Sequence, residues 1–189
     1  MPTRCAWVAD EPLYQQYHDA EWGVPLFDSR KLFELLVLES FQSGLSWLTI
    51  LRRREGFRAA FDGFDPAAIA GYGAEEEARL LADQRIIRHG AKIRATIANA
   101  RAYMDLLRAG GDLSSLVWDV VGGRTRINAW KSLDEIPATT PESEELARRF
   151  RSRGFRFLGP TTAYAFMQAA GLVHDHTTDC FRYGHLTAG

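Results

Sequence analysis

Apolar side chains recur every three or four residues along most of the chain, a period that predicts amphipathic helices. The clearest helix is predicted over 90–108, where one apolar stripe consists of Ile93, Ile97, Ala100, Met104 and Leu107. Gly110 and Gly111 end this stripe. Further helices are predicted over 12–20, 30–41, 46–61, 65–71, 74–83, 141–152 and 160–170. Only 116–128 could contain a strand, so we expect an all-α fold with short connections, least regular over 123–139.

One carboxylate interrupts a nearly unbroken apolar run in the stretch LLVLESFQSGLSW. Ser29 is the predicted N-cap of the helix that carries this run. Glu39 shares a helix face with three leucines that precede it by three, four and seven residues, namely Leu36, Leu35 and Leu32. We therefore expect Glu39 to point inward, toward a core or a cavity, where an unpaired charge is costly.

The composition is that of an ordinary globular protein, with 46% hydrophobic and 25% charged residues among 189. We expect one domain over 1–189, with two helical lobes flanking a cleft. No apolar stretch is long enough to span a membrane, and the N-terminus lacks the apolar core of a signal peptide. These features indicate a cytoplasmic protein without a membrane partner.

The net charge of −1 does not itself favour nucleic acid, but the basic residues are clustered. The clusters are 52–54; Arg85, Arg88, Lys92 and Arg94; and Arg148, Arg149, Arg151, Arg153 and Arg156. A DNA duplex needs a basic face on its partner rather than a basic total. Solvated helix faces are the alternative interpretation of these clusters.

Two pairs of metal-binding residue types lie at opposite ends of the chain, Cys5 with His18 and His176 with Cys180. Sets of four Cys and His ligands favour tetrahedral zinc. If these four converge, protein fills every position and none is left for a catalytic water. The zinc, one per chain, would then be structural and would join the two terminal segments.

The spacing leaves other interpretations of these residues open. The thiols could be buried and the histidines satisfied without any metal, and His174, His89 and His185 are competing ligands. Asp175 and Asp179 lie beside the second pair and could accept a hydrogen bond from a ligating histidine.

Five large aromatic residues fall within the first quarter of the chain: Trp7, Tyr14, Tyr17, Trp22 and Trp47. Such a cluster could be ordinary core. Combined with an inward carboxylate, it suits a planar, electron-poor ligand held by stacking, by cation–π attraction and by an acceptor for an exocyclic amino group.

These residues resemble a known family, the bacterial 3-methyladenine DNA glycosylase I enzymes, a divergent branch of the helix-hairpin-helix glycosylases. The resemblance rests on YHDAEWG and ESFQSGLSW and extends over essentially the whole chain, through RCAWV, PLYQQYHDAEWGVP, DSRKLFELLVLESFQSGLSWLTIL, IIRHGAKIRATIANARAY, RGFRFLGPTTAYAFMQAAGLVHDH and the final Cys180. It implies a compact multi-helix fold, a zinc ion joining the termini, and base-excision repair of alkylated double-stranded DNA by a monomer.

The resemblance also implies roles for individual residues. Cys5, His18, His176 and Cys180 match the zinc ligands of the family. Glu39 matches a catalytic residue in the base pocket of the family. The expected base-binding residues are Tyr17, Trp47, Tyr14, Trp7 and Trp22. Gly44 and Leu45 match the tip that fills the gap left by a flipped base. The stretch 153–159 resembles the hairpin, with Arg153, Gly154 and Gly159 as expected DNA contacts.

The expected reaction is hydrolysis of the N-glycosidic bond of 3-methyladenine, leaving an abasic site. The base is cationic in the nucleoside and leaves neutral, so no general acid is required. We expect Glu39 to accept from the adenine edge, Tyr17 and Trp47 to supply ring surfaces, and Asp175 to be structural rather than water-activating. A lyase step needs an amine, and no lysine lies near the aromatic cluster in sequence.

Three other functions remain compatible with the sequence. One is a glycosylase for a broader range of alkylated bases. Another is a non-catalytic protein that binds damaged DNA or a free methylated purine. The third is a zinc-stapled interaction module whose aromatic residues are core.

Overall fold

The computed structural model of the chain describes residues 2–8 and 10–187, with side chains described as far as Gly184. Eleven α-helices account for most of this part of the chain. They are α1 Pro12–Ala20, α2 Ser29–Gln42, α3 Trp47–Leu51, α4 Arg54–Ala60, α5 Pro66–Ala70, α6 Ala74–Ala82, α7 Gly90–Arg108, α8 Leu113–Trp118, α9 Pro141–Ser152, α10 Pro160–Ala169 and α11 Phe181–Thr187. The expectation of a mostly helical fold is confirmed.

Side-chain caps account for where several helices begin. Ser46 accepts a hydrogen bond from the backbone of Thr49 at the start of α3, and Thr140 caps α9 as part of a capping box. The predicted cap of α2 was wrong by one residue. Asp28 is the N-cap, accepting from the amides of Arg30 and Lys31, because its carboxylate reaches two of the unpaired amides of the first turn.

Two further details differ from the sequence-based expectations. The single helix expected over 46–61 is divided into α3 and α4 by a turn at Arg52 and Arg53. The apolar stripe of α7 ends one position earlier than expected: Leu106 is buried, whereas Leu107 is 41% exposed. Near a helix end, the last turn packs against few neighbours, and periodicity alone does not fix which residue closes the stripe.

Helix α2 lies at the centre of the core and is buried on nearly all sides. It packs against α3, α7, α8 and α10, while α5 packs along α7 and α9 packs on α10. The buried apolar residues form one connected cluster from Cys5 to Cys180. The division into two lobes stays a prediction.

The stretch 116–128 contains both helix and strand. Its first half continues α8 into a short 3-10 helix over Asp119–Val121. Its second half contains strand β1, Arg126–Ile127, which pairs in parallel with β2, Val173–His174. This pairing attaches the irregular stretch 123–139 to the C-terminal segment. Within the described residues, no helix is long and apolar enough to cross a membrane.

Candidate functional site

A cavity of about 180 Å³ opens between α1, α2, α3 and α10. All six residues predicted to form a ligand pocket line it: Trp7, Tyr14, Tyr17, Trp22, Glu39 and Trp47. Four residues that were not predicted also line it, namely Gln42, Ile136, Ala165 and Gln168. We refer to this space as the Glu39 cavity.

Glu39 is the only carboxylate among the residues that line the cavity, and it is 4% exposed. Its Oε2 atom is fully buried and accepts no hydrogen bond from the described residues. No Lys, Arg or His side chain of the described chain lies within 4.0 Å of it. Burial raises the pKa of Glu39 to about 8, so the carboxyl of the free protein is largely protonated at neutral pH.

Aromatic rings form the walls around this carboxyl. Trp7 lies between Tyr14 and Trp22, with ring centroids 5.0 Å and 5.1 Å away. Tyr17 and Trp47 contact each other with centroids 5.5 Å apart and planes 46° apart. Because these two rings touch, they form a corner of the cavity rather than the two faces of a slot. Burial and the neighbouring Glu39 raise the pKa of Tyr17, so its hydroxyl stays protonated.

A larger cavity of about 380 Å³ lies on the other side of Tyr17 and Trp47, which line both spaces. Its rim contains the Arg54–Glu21 and Arg58–Glu34 ion pairs. Glu39 does not line it. We therefore place the candidate site at the smaller cavity, where the unpaired carboxyl and the aromatic walls coincide.

The four predicted metal ligands converge in the structure. Their donor atoms all lie within 4.8 Å of one another, and all four residues are buried. Cys180 Sγ is 3.5 Å from His18 Nε2 and 3.6 Å from His176 Nδ1, which is 3.2 Å from His18 Nε2. Cys5 Sγ is 3.5 Å from His176 Nδ1. This cluster could hold a metal ion.

The hydrogen bonds behind the histidines are not those that the sequence suggested. Asp19, rather than Asp175 or Asp179, lies 2.8 Å from His18 Nδ1 and is itself held by Arg4. Asp19 was missed although it adjoins His18 in sequence.

His176 is oriented by backbone. Its Nε2 lies 3.2 Å from the carbonyl oxygen of Trp22. Gly23 follows in a left-handed conformation, and a Cβ there would lie 3.1 Å from His176 Nε2, so both the backbone and the close contact favour glycine. Of the competing ligands, His89 instead caps α7 and His174 lies outside the four-residue cluster. The side chain of His185 lies outside the described part of the chain.

Asp175 has a scaffold role. It is fully buried, and its Oδ1 accepts from Asn128 at 2.7 Å and from Trp130 at 2.9 Å. Its Oδ2 accepts from Tyr164 at 2.6 Å and from Gln168 at 2.8 Å. Four donors thus saturate a carboxylate that lies away from solvent, which ties the irregular stretch 123–139 to α10.

The two predicted DNA-contacting elements lie at helix ends. Gly44, with φ +83°, and Leu45, which is 40% exposed, form a tip between α2 and α3. The stretch 153–159 connects α9 to α10, with Gly154 at φ +87° and Gly159 at the N-terminus of α10. Arg153 is exposed at the end of α9.

A family model described as methyladenine glycosylase matches residues 7–183. The chain belongs to this family. The DNA-3-methyladenine glycosylase 1 of Escherichia coli is 47% identical over 180 residues, which cover 95% of this chain and 96% of the relative. The DNA-3-methyladenine glycosylase of Haemophilus influenzae is 44% identical over 180 residues, with 95% and 97% covered.

Solved structures agree with this assignment to the methyladenine glycosylases. A crystal structure of 3-methyladenine DNA glycosylase I gives a TM-score of 0.93 at 51% identity and covers 95% of this chain and 98% of its own. A structure of the Staphylococcus aureus enzyme, which concerns its recognition of 3-methyladenine, gives a TM-score of 0.91 at 36% identity, with 94% and 95% covered. The mostly helical glycosylase fold expected from the resemblance is confirmed.

The basic clusters of this methyladenine glycosylase are partly neutralised by acidic neighbours. Arg52, Arg54, Arg85, Arg94, Arg148 and Arg149 all form ion pairs. Arg88, Arg153 and Arg156 have no carboxylate partner within 4.0 Å in the described chain. The 153–159 connection therefore keeps a positive charge that no described carboxylate neutralises, on Arg153 and Arg156.

Proposed function

We propose that this chain is a DNA-3-methyladenine glycosylase, which hydrolyses the N-glycosidic bond of 3-methyladenine in alkylated double-stranded DNA and leaves an abasic site. The observation that carries the proposal is the buried, unpartnered carboxyl of Glu39 inside an aromatic cavity. A buried polar group without a partner is costly, and a ligand that supplies the partner recovers that cost. The names of the relatives support the same activity.

The charge of the lesion gives Glu39 its role. 3-Methyladenine is cationic in the nucleoside and departs neutral, so the bond is weak and needs no general acid. A cationic base in the cavity favours the ionised form of Glu39, whose pKa burial alone raises to about 8. Neutral adenine gives no such attraction. Discrimination therefore comes from charge as well as from shape.

The aromatic residues of the Glu39 cavity hold the flipped base. Trp47 and Tyr17 form one corner of the cavity wall, and Trp7, Tyr14 and Trp22 form a second group of contacting rings in the wall. Each base–ring stacking contact contributes about 1–3 kcal/mol. Ring faces also attract a cationic purine, which adds to the charge selection made by Glu39.

Two surface elements bind the duplex in this proposal. Leu45, which follows Gly44 at the tip between α2 and α3, fills the gap left by the extruded base. The α9–α10 pair with its 153–159 connection acts as a helix-hairpin-helix motif, in which Arg153, Gly154 and Gly159 lie against the phosphates. The proposal is supported by the exposure of Leu45 and by the unpaired Arg153.

The metal of the Cys5, His18, His176 and Cys180 cluster is zinc in this proposal, one ion per chain. Nitrogen and sulfur ligands at tetrahedral zinc lie about 3.2–3.8 Å from one another. The two distances from Cys180 to the histidines, the His18–His176 distance and the Cys5–His176 distance fall in this range, and all four donor atoms lie within 4.8 Å of one another. Protein fills all four positions, so the ion stabilises the joined termini. It has no part in the hydrolysis.

Water activation is not assigned to Asp175, because its oxygens already accept four hydrogen bonds. The enzyme is proposed to be monofunctional, since a lyase step needs an amine and no lysine lines the Glu39 cavity. In this proposal the enzyme acts on DNA in the cytoplasm, and it acts as a monomer.

Release of free base from methylated duplex DNA, resolved by chromatography, tests the proposal. Release of 3-methyladenine alone is the expected result. Release of 7-methylguanine as well would replace it with a broader alkylbase glycosylase, and binding without release would replace it with a damaged-DNA binding protein. Native mass spectrometry of the same sample is expected to show one zinc ion per chain.

A further inference from the structure

Helix α7 contributes a buried cation to the end of α2. Lys92 is 5% exposed, and its Nζ donates to the carbonyl oxygens of Phe41 at 2.9 Å and Ser43 at 2.7 Å. No carboxylate of the described chain pairs with it, and burial lowers its pKa. An ammonium at the C-terminus of a helix satisfies carbonyls that lack helical partners and complements the helix dipole. Lys92 thus holds the backbone immediately before Gly44 and Leu45.

The same helix holds the connection between α9 and α10. Asn99 is fully buried, and its Oδ1 accepts from the Arg156 amide at 2.7 Å while its Nδ2 donates to the Arg156 carbonyl at 3.2 Å. The next residue, Phe157, is 47% exposed at φ +59°, a conformation that costs free energy for a bulky side chain. Its ring lies 6.5 Å from that of His89, the N-cap of α7.

Lys92 and Asn99 are seven residues apart in one unbroken helix and therefore share one face, two turns apart. Thr96, fully buried between them, donates to the Lys92 carbonyl, so its hydroxyl bonds within the helix. One rigid element consequently carries both the tip and the connection by side chain-to-backbone hydrogen bonds. Neither side chain lines the Glu39 cavity.

We propose that Lys92 and Asn99 are positioning residues, which fix the Leu45 tip and the 153–159 connection at the separation that a bent duplex requires. This inference rests on the proposed function, because it assigns DNA contacts to both elements. A duplex held at two points must be bent to the same degree for each base flip, so a change in the separation weakens extrusion. Binding of a free base in the cavity does not use either element.

Two measurements on the full-length protein separate positioning from general stability. One is single-turnover excision of 3-methyladenine from methylated duplex as a function of enzyme concentration. The other is binding of free 3-methyladenine, followed by the fluorescence of the tryptophans that line the cavity. Lys92→Met removes the hydrogen bonds to Phe41 and Ser43, and Asn99→Ala removes both to Arg156. Lys31→Met, at the exposed start of α2, is the matched control.

For Lys92→Met and Asn99→Ala, we expect duplex excision to fall about tenfold to hundredfold while free-base affinity stays within about twofold. Lys31→Met should leave both measurements unchanged. Excision within twofold of the wild type would overturn the inference, as would a parallel loss in both assays. Loss of the fold in both variants, seen by circular dichroism, would also overturn it, because the residues would then hold the core. Absence of excision by the wild type would instead contradict the proposed function.

Discussion

Two buried carboxylates, in neighbouring regions of the molecule, have opposite environments. Asp175 accepts four hydrogen bonds and holds the irregular stretch 123–139 against α10. Glu39 has a buried oxygen with no hydrogen-bond partner in the described chain. Both residues are almost fully buried. Burial therefore does not distinguish scaffold from site here; the number of partners does.

The difference has a physical basis in the cost of burying a charge. A carboxylate that accepts four hydrogen bonds has its acceptor capacity filled and contributes to rigidity, so the region around Asp175 is complete without a ligand. The Glu39 carboxyl has no donor among the described residues, so its ionised form is destabilised by burial in the free protein. Burial therefore raises the pKa of Glu39 to about 8. A protein can tolerate such a group at a binding site, because the bound ligand supplies the missing partner. Gln168 belongs to both regions, since it donates to Asp175 and lines the Glu39 cavity.

The largest expected effect is on the pH dependence of stability. The pKa of Glu39 is about 8 when folded and near its ordinary value when unfolded, so only the unfolded state loses this proton between about pH 4.5 and 8. The free energy of unfolding should therefore fall with rising pH in that window, by on the order of 3–5 kcal/mol. Glu39→Gln should lack this component, which urea unfolding of both proteins at several pH values can measure. Equal pH dependence in the two proteins would contradict the environment assigned to Glu39.

The next effect is on excision by Glu39→Gln. The amide keeps the shape of the side chain but cannot pair with a cationic base, so single-turnover excision of 3-methyladenine should fall about a hundredfold, or roughly 2.7 kcal/mol. The variant should be at least as stable as the wild type at pH 8. Undiminished excision would show that the charge of Glu39 has no role.

Asp175→Asn should show the opposite pattern. An amide cannot accept from all four donors, so the free energy of unfolding should fall by about 2 kcal/mol. Excision per folded molecule should change little, and Asp179→Asn, at an exposed position, is the control. A variant of normal stability that has lost excision would place Asp175 in the reaction instead.

The smallest effect is expected for Gln168→Met, which keeps the length of the side chain without its amide. The loss of one hydrogen bond to Asp175 should cost about 1 kcal/mol of stability. Because the residue also lines the Glu39 cavity, affinity for free 3-methyladenine should fall several-fold by fluorescence titration. No change in affinity would assign Gln168 to the scaffold alone.

Local sequence patterns predicted the direction of Glu39 and the bounds of several helices, because these features depend on one helix at a time. The inward direction of Glu39 followed from three leucines on its helix face, and the structure buries it. The helices Pro12–Ala20, Gly90–Arg108 and Pro141–Ser152 were predicted at their observed bounds. The convergence of the four metal ligands required the resemblance as well, since spacing alone left other histidines open.

Contacts between distant segments were not predictable in the same way. Gln168 and Ile136 reach the cavity from α10 and from the irregular stretch, and no period marks either residue. The roles of Asp19 and Lys92 depend on which groups the fold brings beside them. The turn at Arg52 and Arg53 contains neither glycine nor proline, so no turn-forming residue marks the boundary between α3 and α4 in the sequence. Asp19 adjoins His18, and this adjacency was the one local sign available.

The central claim is that the buried carboxyl of Glu39 awaits a ligand while that of Asp175 does not. The most direct test is NMR titration of the carboxyl carbons in protein with labelled Glu and Asp side chains, assigned with Glu39→Gln and Asp175→Asn. The account predicts that Glu39 titrates near pH 8 in the free protein. It also predicts that added 3-methyladenine shifts the Glu39 resonance and leaves that of Asp175 in place. Titration of Glu39 near its ordinary pKa, with no response to the base, would contradict the account.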